Sequence, residues 1–311
     1  METIEIKEFE ELPFGENITQ KAFISPAENG VEYEILSDSN ALEYIDYLNL
    51  SKVVEILAEF FDVNASAMAK ENMLCAVALG SSIENSFEKL IDCDPISVIG
   101  ATIGFTKILD LECSKQLNAM KIRNVIAPNF EKDALDYLQK NSDINIIQVK
   151  SPLQELLGFC EKDIKVTPFG YLIQEQNQSK LTKSSFKVAG KTKPSQQQAE
   201  DAIFAWKVSK YIKSRSAVIA KDLVTRAIVQ GRTNAIEPVE RAMDIACENS
   251  KDAILALDGT IENEEIINTA IQGRIGLIIE ACDGANSGKI VKLADKYNIA
   301  LIKTGIRNNR Y

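Results

Sequence analysis

Lys70 and Glu71 stand side by side in the run "MAKENMLCAVALG" (68–80), and the 311-residue chain contains no histidine. That absence excludes Ser-His-Asp and Cys-His nucleophile systems and the H-E-x-x-H metal site. It excludes the zinc deaminase signature as well. Proton transfer must then fall to Lys, Glu, Asp, Tyr or Cys. Lys70 follows the small apolar "ASAMA" and reads as the end of a buried strand, where α/β folds place ligands. An amine partly buried there loses its proton more readily, unless a carboxylate holds the charge. Glu71 is adjacent, but neighbours along a strand point to opposite faces, so the two need not touch. A strand-end pair with no chemical role is the other reading.

Two glycine loops offer backbone N–H groups to an anion. "DGANSGK" (283–289) lies between a strand and a helix, so the helix N-terminus would face a phosphate or carboxylate. "LPFGENITQK" (12–21) has a Gly turn and an Asn donor, and equally reads as a structural turn. Lys180, Lys183, Lys187, Lys191 and Lys193 crowd one polar stretch, a local basic patch or a solvated linker. The net charge of −10 argues against nucleic acid and anionic membranes as partners. It leaves room for an anionic small-molecule substrate only at a local basic cluster. No apolar run approaches the roughly 18 residues of a membrane span. "METIEIKEFEEL" is acidic and lacks the features of a signal peptide, so a cytoplasmic protein is expected. Cys75, Cys93, Cys113, Cys160, Cys247 and Cys282 are scattered with no C-x-x-C pair, which predicts free thiols and no metal site.

The elements that must position these residues repeat. "MLCAVALG" reads as a strand, "SIENSFEKLIDC" as a helix and "ISVIGATIGF" as a strand. "IRNVIAPNF", helix "EKDALDYLQKN" and strand "INIIQV" follow. Later come strands "SAVIAK" and "TRAIVQG", helix "AIEPVERAMDIACEN" and strand "AILALDG". A helix over 264–270, strand "GLIIEACDG", helix "GKIVKLADKYN" and strand "IALIKTG" close the series. Strands alternating with helices of this length predict an α/β fold of two related three-layer halves. The expected division is 1–175 and 199–311, with a Ser/Lys/Gln-rich linker over 176–198. Directly after it, "AEDAIFAWKVSKYIKS" reads as one amphipathic helix. Phe204, Val208 and Tyr211/Ile212 form its apolar stripe, with Lys207, Lys210 and Lys213 on a basic face.

Five segments, in order, resemble one family: the 5-aminoimidazole-4-carboxamide ribonucleotide (AICAR) formyltransferase part of the bifunctional purine biosynthesis protein. They are "PFGENITQK", "AKENMLCAVALG", "FEKLIDCDPISVIGATIGF", "VAGKTKPSQQQAEDAIFAWKVSKYIKS" and "TGIRNNRY". The resemblance implies cytidine-deaminase-like α/β/α halves and formyl transfer from 10-formyltetrahydrofolate to the amine of AICAR. It further implies a homodimer with sites at the interface and the absence of the cyclohydrolase part from this chain.

The resemblance assigns catalysis to Lys70, with Glu71 at the position of the family's histidine and Arg215 at that of its site asparagine. The matching substrate-binding positions are Phe14, Gly15, Asn17, Lys21, Asp94, Ser97, Gly100, Lys207 and Arg307. The cofactor-binding positions fall in two stretches that have lost the family pattern, Thr233 and Asn234 in "GRTNAIEP", and Asp258 and Asn263 in the shortened "LDGTIENEE". Pro13, Thr19, Met73 and Leu74 are further departures. A glutamate can take a histidine's proton if burial raises its pKa. It also brings negative charge towards an anionic substrate, which Arg215 could offset. Three readings remain: a formyltransferase, a non-catalytic ligand-binding or regulatory homologue, and a transferase with a changed substrate.

Overall fold

A computed structural model describes residues 6, 9–27, 30–37, 41–140, 143–157 and 162–311. Cys160 lies outside the described residues; Cys75, Cys93, Cys113, Cys247 and Cys282 are free thiols. The chain divides into two compact units. The first holds 1–73, 81–87 and 95–178, the second 74–80, 88–94 and 179–311.

In chain order the elements begin with β1 (Glu10–Leu12), β2 (Ala22–Ile24), β3 (Tyr33–Ile35), α1 (Tyr44–Ala58), β4 (Asn64–Lys70), β5 (Met73–Gly80) and α2 (Ile83–Cys93). Next are β6 (Thr102–Phe105), α3 (Leu111–Ala119), β7 (Asn124–Ala127), α4 (Lys132–Leu138), β8 (Asn145–Val149), β9 (Lys162–Thr167) and β10 (Gly170–Glu175). The remainder are β11 (Lys187–Ala189), α5 (Gln196–Ser209), β12 (Ala217–Lys221), β13 (Val224–Val229), α6 (Glu237–Ala246), β14 (Ile254–Leu257), α7 (Glu264–Gln272), β15 (Leu277–Glu280), α8 (Ser287–Lys296) and β16 (Ala300–Lys303).

In the first unit β4 pairs antiparallel with β6, β6–β7–β8 run parallel, and β3 closes the edge antiparallel to β8. In the second, β12 pairs antiparallel with β14, β14–β15–β16 run parallel, and β11 closes the edge antiparallel to β16. The two pairing orders correspond strand for strand. Both units are therefore mixed α/β sheets in which helices connect the parallel strands.

Burial explains why these segments became strands. "ILAL", "LIIE" and "ALIK" are buried at every position, as parallel strands covered on both faces must be. Ile219, Leu255, Ile278 and Leu301 pack with Val239 of α6, Ile267 of α7 and Ile290 of α8 in one core. The alternate residues Val218, Ile254 and Ile279 are also fully buried, and α5 packs against β12, β14 and β15. In the first unit α1 lies across β4 and β6. Gly104 makes that approach possible, because a Cβ there would overlap the Val53 side chain of α1 and come within 2.9 Å of Leu57. The fully buried Asp46 of α1 is held by Arg123 at 2.6 and 2.9 Å and by Asn124 at 2.9 Å.

Three local expectations change. The helix over 196–209 stops at Ser209, so Lys210 is its C-cap and Tyr211, Ile212 and Lys213 lie beyond it. The stretch read as a linker carries β11, which pairs with β16. In "ISVIGATIGF" only Thr102–Phe105 is strand.

Two outcomes follow. Gly104→Ala should cost about 1–3 kcal/mol by overpacking, read as a shift in the denaturant midpoint at constant slope; an unchanged midpoint would show that α1 can move away. Asp201 of α5 is buried, and desolvation raises its carboxyl pKa, although backbone N–H groups of Leu223 and Asp222 oppose that shift. A raised native value means its contribution to stability is present at low pH and is lost as pH rises through that value. Between about pH 4 and about pH 7, wild type should lose stability relative to Asp201→Asn; parallel pH curves would contradict this.

Candidate functional site

Lys70 ends β4, whose Ala65, Ala67, Met68 and Ala69 are fully buried. Its side chain is half-buried, and Nζ donates to the Ile99 carbonyl at 2.8 Å. The chain then turns through Glu71 and Asn72, both left-handed at φ 52° and 58°. Two consecutive positive φ values define the tight mirror-image turn of a two-residue hairpin. The Asn72 N–H donates to Asn49 Oδ1 of α1 at 2.8 Å. Glu71 thus sits on a turn rather than in a strand. Its side chain is exposed and makes no ion pair among the described residues, so the burial its assigned role requires is not met.

The second unit repeats this device. Lys221 ends β12 and donates to the Lys251 carbonyl at 2.8 Å. Asp222 and Leu223 form the turn at φ 58° and 59°. Their N–H groups donate to Asp201 of α5 at 3.1 and 2.7 Å. Ile99 and Lys251 each stand three residues ahead of the neighbouring strand. The lysine bond is therefore part of how each unit is built. At Lys70 it uses one of three ammonium donors and leaves two.

Of the other first-unit positions, the structure brings the 97–100 segment against Lys70 through Ile99. Gly100 there has φ +73°, with no atom within 4 Å of where a Cβ would stand. Ile96 and Ile99 are exposed beside it. Phe14, Gly15, Asn17 and Lys21 lie in the loop of the β1–β2 hairpin. That loop closes on itself: Gly15 N–H donates to the Gln20 carbonyl, and Asn17 donates to Gln20 Oε1 from both its nitrogens.

In the second unit Arg215 and Asp258 line one small cavity with Ser216, Gly259 and Thr260. Arg215 exchanges two backbone bonds with Arg232, at 3.0 and 3.1 Å. Its Nη1 lies 2.7 Å from where a Cβ on Gly259 would be, so glycine makes the room for the guanidinium. Asp258 is 3% exposed; Oδ1 accepts from Ser216 N–H at 3.3 Å. Asp258 Oδ2 and Ser216 Oγ are buried without a hydrogen-bond partner. A buried acceptor left unpaired costs about 1–3 kcal/mol, and the cavity, about 10 Å³, has room for one water molecule as its donor. The Asn308 N–H donates to the Asp258 carbonyl at 3.2 Å, which brings the C-terminal tail here; Arg307 itself is exposed.

Thr233, Asn234 and Asn263 do not join this cavity. Asn234 Oδ1 accepts from the N–H groups of Ile236 and Glu237, and Asn263 is the N-cap of α7, accepting from Glu265 N–H. Asp94 is half-buried, and Lys207 occupies the last turn of α5. The loop 283–289 is not an open anion cradle. Lys303 binds Asp283 and Ser287, Ser287 donates to Asp283 at 2.7 Å, and Lys303 pulls the Asp283 carboxyl below its ordinary range. Ser216, Gly259 and Asn308 escaped the sequence reading; their only signals were the D-G pair at 258–259 and proximity to Arg307.

Comparison with known proteins decides the family. The model of the AICARFT/IMPCHase bienzyme matches residues 1–245. The chain belongs to that family. Among its AICARFT/IMPCHase relatives, the bifunctional purine biosynthesis protein PurH of Thermoanaerobacter sp. (strain X514) is 31% identical over 306 residues, 97% of this chain and 59% of that protein. PurH of Caldicellulosiruptor bescii is 32% identical over 319 residues, 99% of this chain and 60% of that protein. PurH of Aquifex aeolicus is 28% identical over 317 residues, with 100% and 61% covered. The chain thus spans about three fifths of the length of these relatives. Among the described residues no helix is long and apolar enough to cross a membrane.

Lys70→Ala and Lys221→Ala each remove one charge-assisted bond from equivalent positions. Both should lose comparable stability, on the order of 1 kcal/mol after solvent screening, by chemical denaturation. Loss at Lys221 alone would show that the Lys70 ammonium is not committed to its carbonyl.

Proposed function

We propose that this chain is a formyltransferase of the AICAR transformylase type, moving a formyl group from 10-formyltetrahydrofolate to the amine of AICAR or a related amine. The observation that carries the reading is Lys70, an ammonium fixed at a strand end by the Ile99 carbonyl with two donors to spare. As the amine nitrogen bonds to the formyl carbon, the formyl oxygen gains negative charge. The bond from that carbon to its former nitrogen then breaks, the attacking nitrogen gives up a proton, and the departing nitrogen takes one. A pre-positioned donor on the charged oxygen is worth about 10²–10³ in rate. Glu71, next in the chain, takes the proton in this reading, a role worth about 10²–10⁴ that requires bound substrate to bury a side chain exposed here.

10-Formyltetrahydrofolate supplies the formyl carbon, and its pterin ring carries N–H donors. The cavity beside Asp258 is about 10 Å³ and does not admit such a ring as it stands, so Asp258 carries no part of this reading. The reading further takes the two units as cytidine-deaminase-like halves, which their matching pairing orders support. It takes the protein as a cytoplasmic homodimer with sites at the interface, as the family resemblance implies. Asn17, Asn234 and Asn263 contribute less to it, since turns and caps occupy their polar atoms.

Two observations favour the non-catalytic reading. Lys221 repeats the Lys70 bond in the second unit, and Glu71 is exposed without a partner. Turnover separates the readings: purified protein with 10-formyltetrahydrofolate and AICAR, followed by tetrahydrofolate release. The transferase reading expects turnover that Lys70→Ala abolishes and Lys221→Ala spares. No turnover at high enzyme concentration, or equal turnover in Lys70→Ala, would overturn it.

A further inference from the structure

The ladder between β12 and β13 gains a residue at its end. Ala217 stands opposite Val229, whereas Arg215 exchanges both backbone bonds with Arg232, at 3.0 and 3.1 Å. Two steps along one chain thus match three along the other, a bulge, and Gly231 inside it is left-handed at φ 70°. The extra residue decides where Arg232 points. Ala227 and Val229 face the core under α6, so strict alternation would send Arg232 to the opposite face. After the bulge it stands across from Arg215, on the face of Ala217 and Ile219. Two contacts agree. Arg232 Nη1 lies 3.4 Å from Glu237 Oε1 in the first turn of α6, and Arg215 lines its cavity with Pro238 of the same turn.

Like charges set directly opposite are destabilising, and the surroundings do not neutralise this pair. Arg215 is half-buried, yet its guanidinium makes no hydrogen bond or ion pair among the described residues. Asp258 lines the same cavity without pairing with it. The Arg232 side chain reaches Glu237 alone among the described residues, and the two are 42% and 47% exposed, a surface pair of little strength. Lys213, exposed and two residues before Arg215, adds a third positive charge in a chain whose net charge is −10. A partly desolvated guanidinium without a protein acceptor for its five donors favours an anionic one from outside.

We propose that Arg215 and Arg232 form a two-guanidinium clamp for one oxyanion, a phosphate or a carboxylate, which enters from solvent and bridges them. Guanidinium groups bind either oxyanion through paired N–H donors, so charge and geometry are met together. An arginine keeps its proton, so Arg215 serves by binding and not by proton transfer. The assignment of the ligand rests on the reading above. Of its two substrates, AICAR brings a phosphate, and 10-formyltetrahydrofolate brings the carboxylates of its glutamate.

Calorimetric titration of the full chain tests this. Wild type is compared with Arg215→Gln, Arg232→Gln and a control, Arg241→Gln, which removes an equal charge from an exposed site on α6 outside the clamp. Circular dichroism checks that each is folded. If the acceptor supplies the oxyanion, each clamp variant should weaken AICAR binding by on the order of 10–100-fold and leave tetrahydrofolate unchanged. If the folate supplies it, the pattern reverses. Either pattern, absent from the control, supports the clamp. Affinities for both ligands that are equal in Arg232→Gln and wild type, or an equal loss in Arg241→Gln, would overturn it. Wild type that binds neither ligand overturns the transferase reading instead. The clamp is then decided by the phosphorus NMR line of inorganic phosphate: broadening by wild type that both variants lose supports it, and no broadening by wild type overturns it.

Discussion

Each unit is organised around a buried side chain on a helix that accepts the N–H of a tight turn. Asn49 of α1 takes Asn72, and Asp201 of α5 takes Asp222 and Leu223. Two left-handed residues in succession cost about 1–2 kcal/mol each unless glycine or asparagine relieves them. Glu71 and Leu223 are poor residues for that conformation. The helix acceptors offset this cost, because backbone N–H groups turned towards buried protein would otherwise go unpaired. With the turn fixed to the helix, the preceding strand has a set end. A lysine at that end reaches the carbonyl three residues before the next strand. Helix, turn, strand end and lysine form one assembly, made twice.

The repetition bears on how chemistry could arise from one copy. Lys70 and Lys221 share the same bond and the same place. What differs is the segment that supplies the carbonyl. Ile99 precedes Gly100, whose surroundings are open and whose neighbours Ile96 and Ile99 are exposed. Lys251 follows a short helical turn over Cys247–Ser250 and stands before the buried Ala253. Access to the ammonium is set by this segment, not by the lysine. A residue type in a motif is therefore insufficient to assign a role; the loop beside it decides whether a ligand can approach.

Much of the fold was legible because burial writes itself into periodicity. The apolar runs at 254–257, 277–280 and 300–303 leave a strand buried on both faces as their simplest reading, and so they are. The turn at Glu71–Asn72 was not legible, since "EN" lacks the glycine that ordinarily announces it. Its stabiliser, Asn49, lies 23 residues earlier. The end of α5 was misjudged for a related reason: apolar spacing continues through Tyr211 and Ile212 after the backbone has left the helix. Motif resemblance located Asn234 and Asn263 but could not reveal that local turns already use their acceptors.

Satisfied and unsatisfied polar atoms thus sort the candidate residues better than their types do. The loop at 13–21 closes on Gln20, and the loop at 283–289 closes on Lys303. Each has become self-sufficient structure. Asp258 and Ser216 are the contrary case: both are buried, both retain an atom with no partner, and they adjoin a guanidinium for which Gly259 makes room. The cavity they line is about 10 Å³, room for one water molecule, the ordinary partner of buried polar atoms of this kind. The pair is thus set apart from the closed loops by an interior polar pocket rather than by a bond of its own.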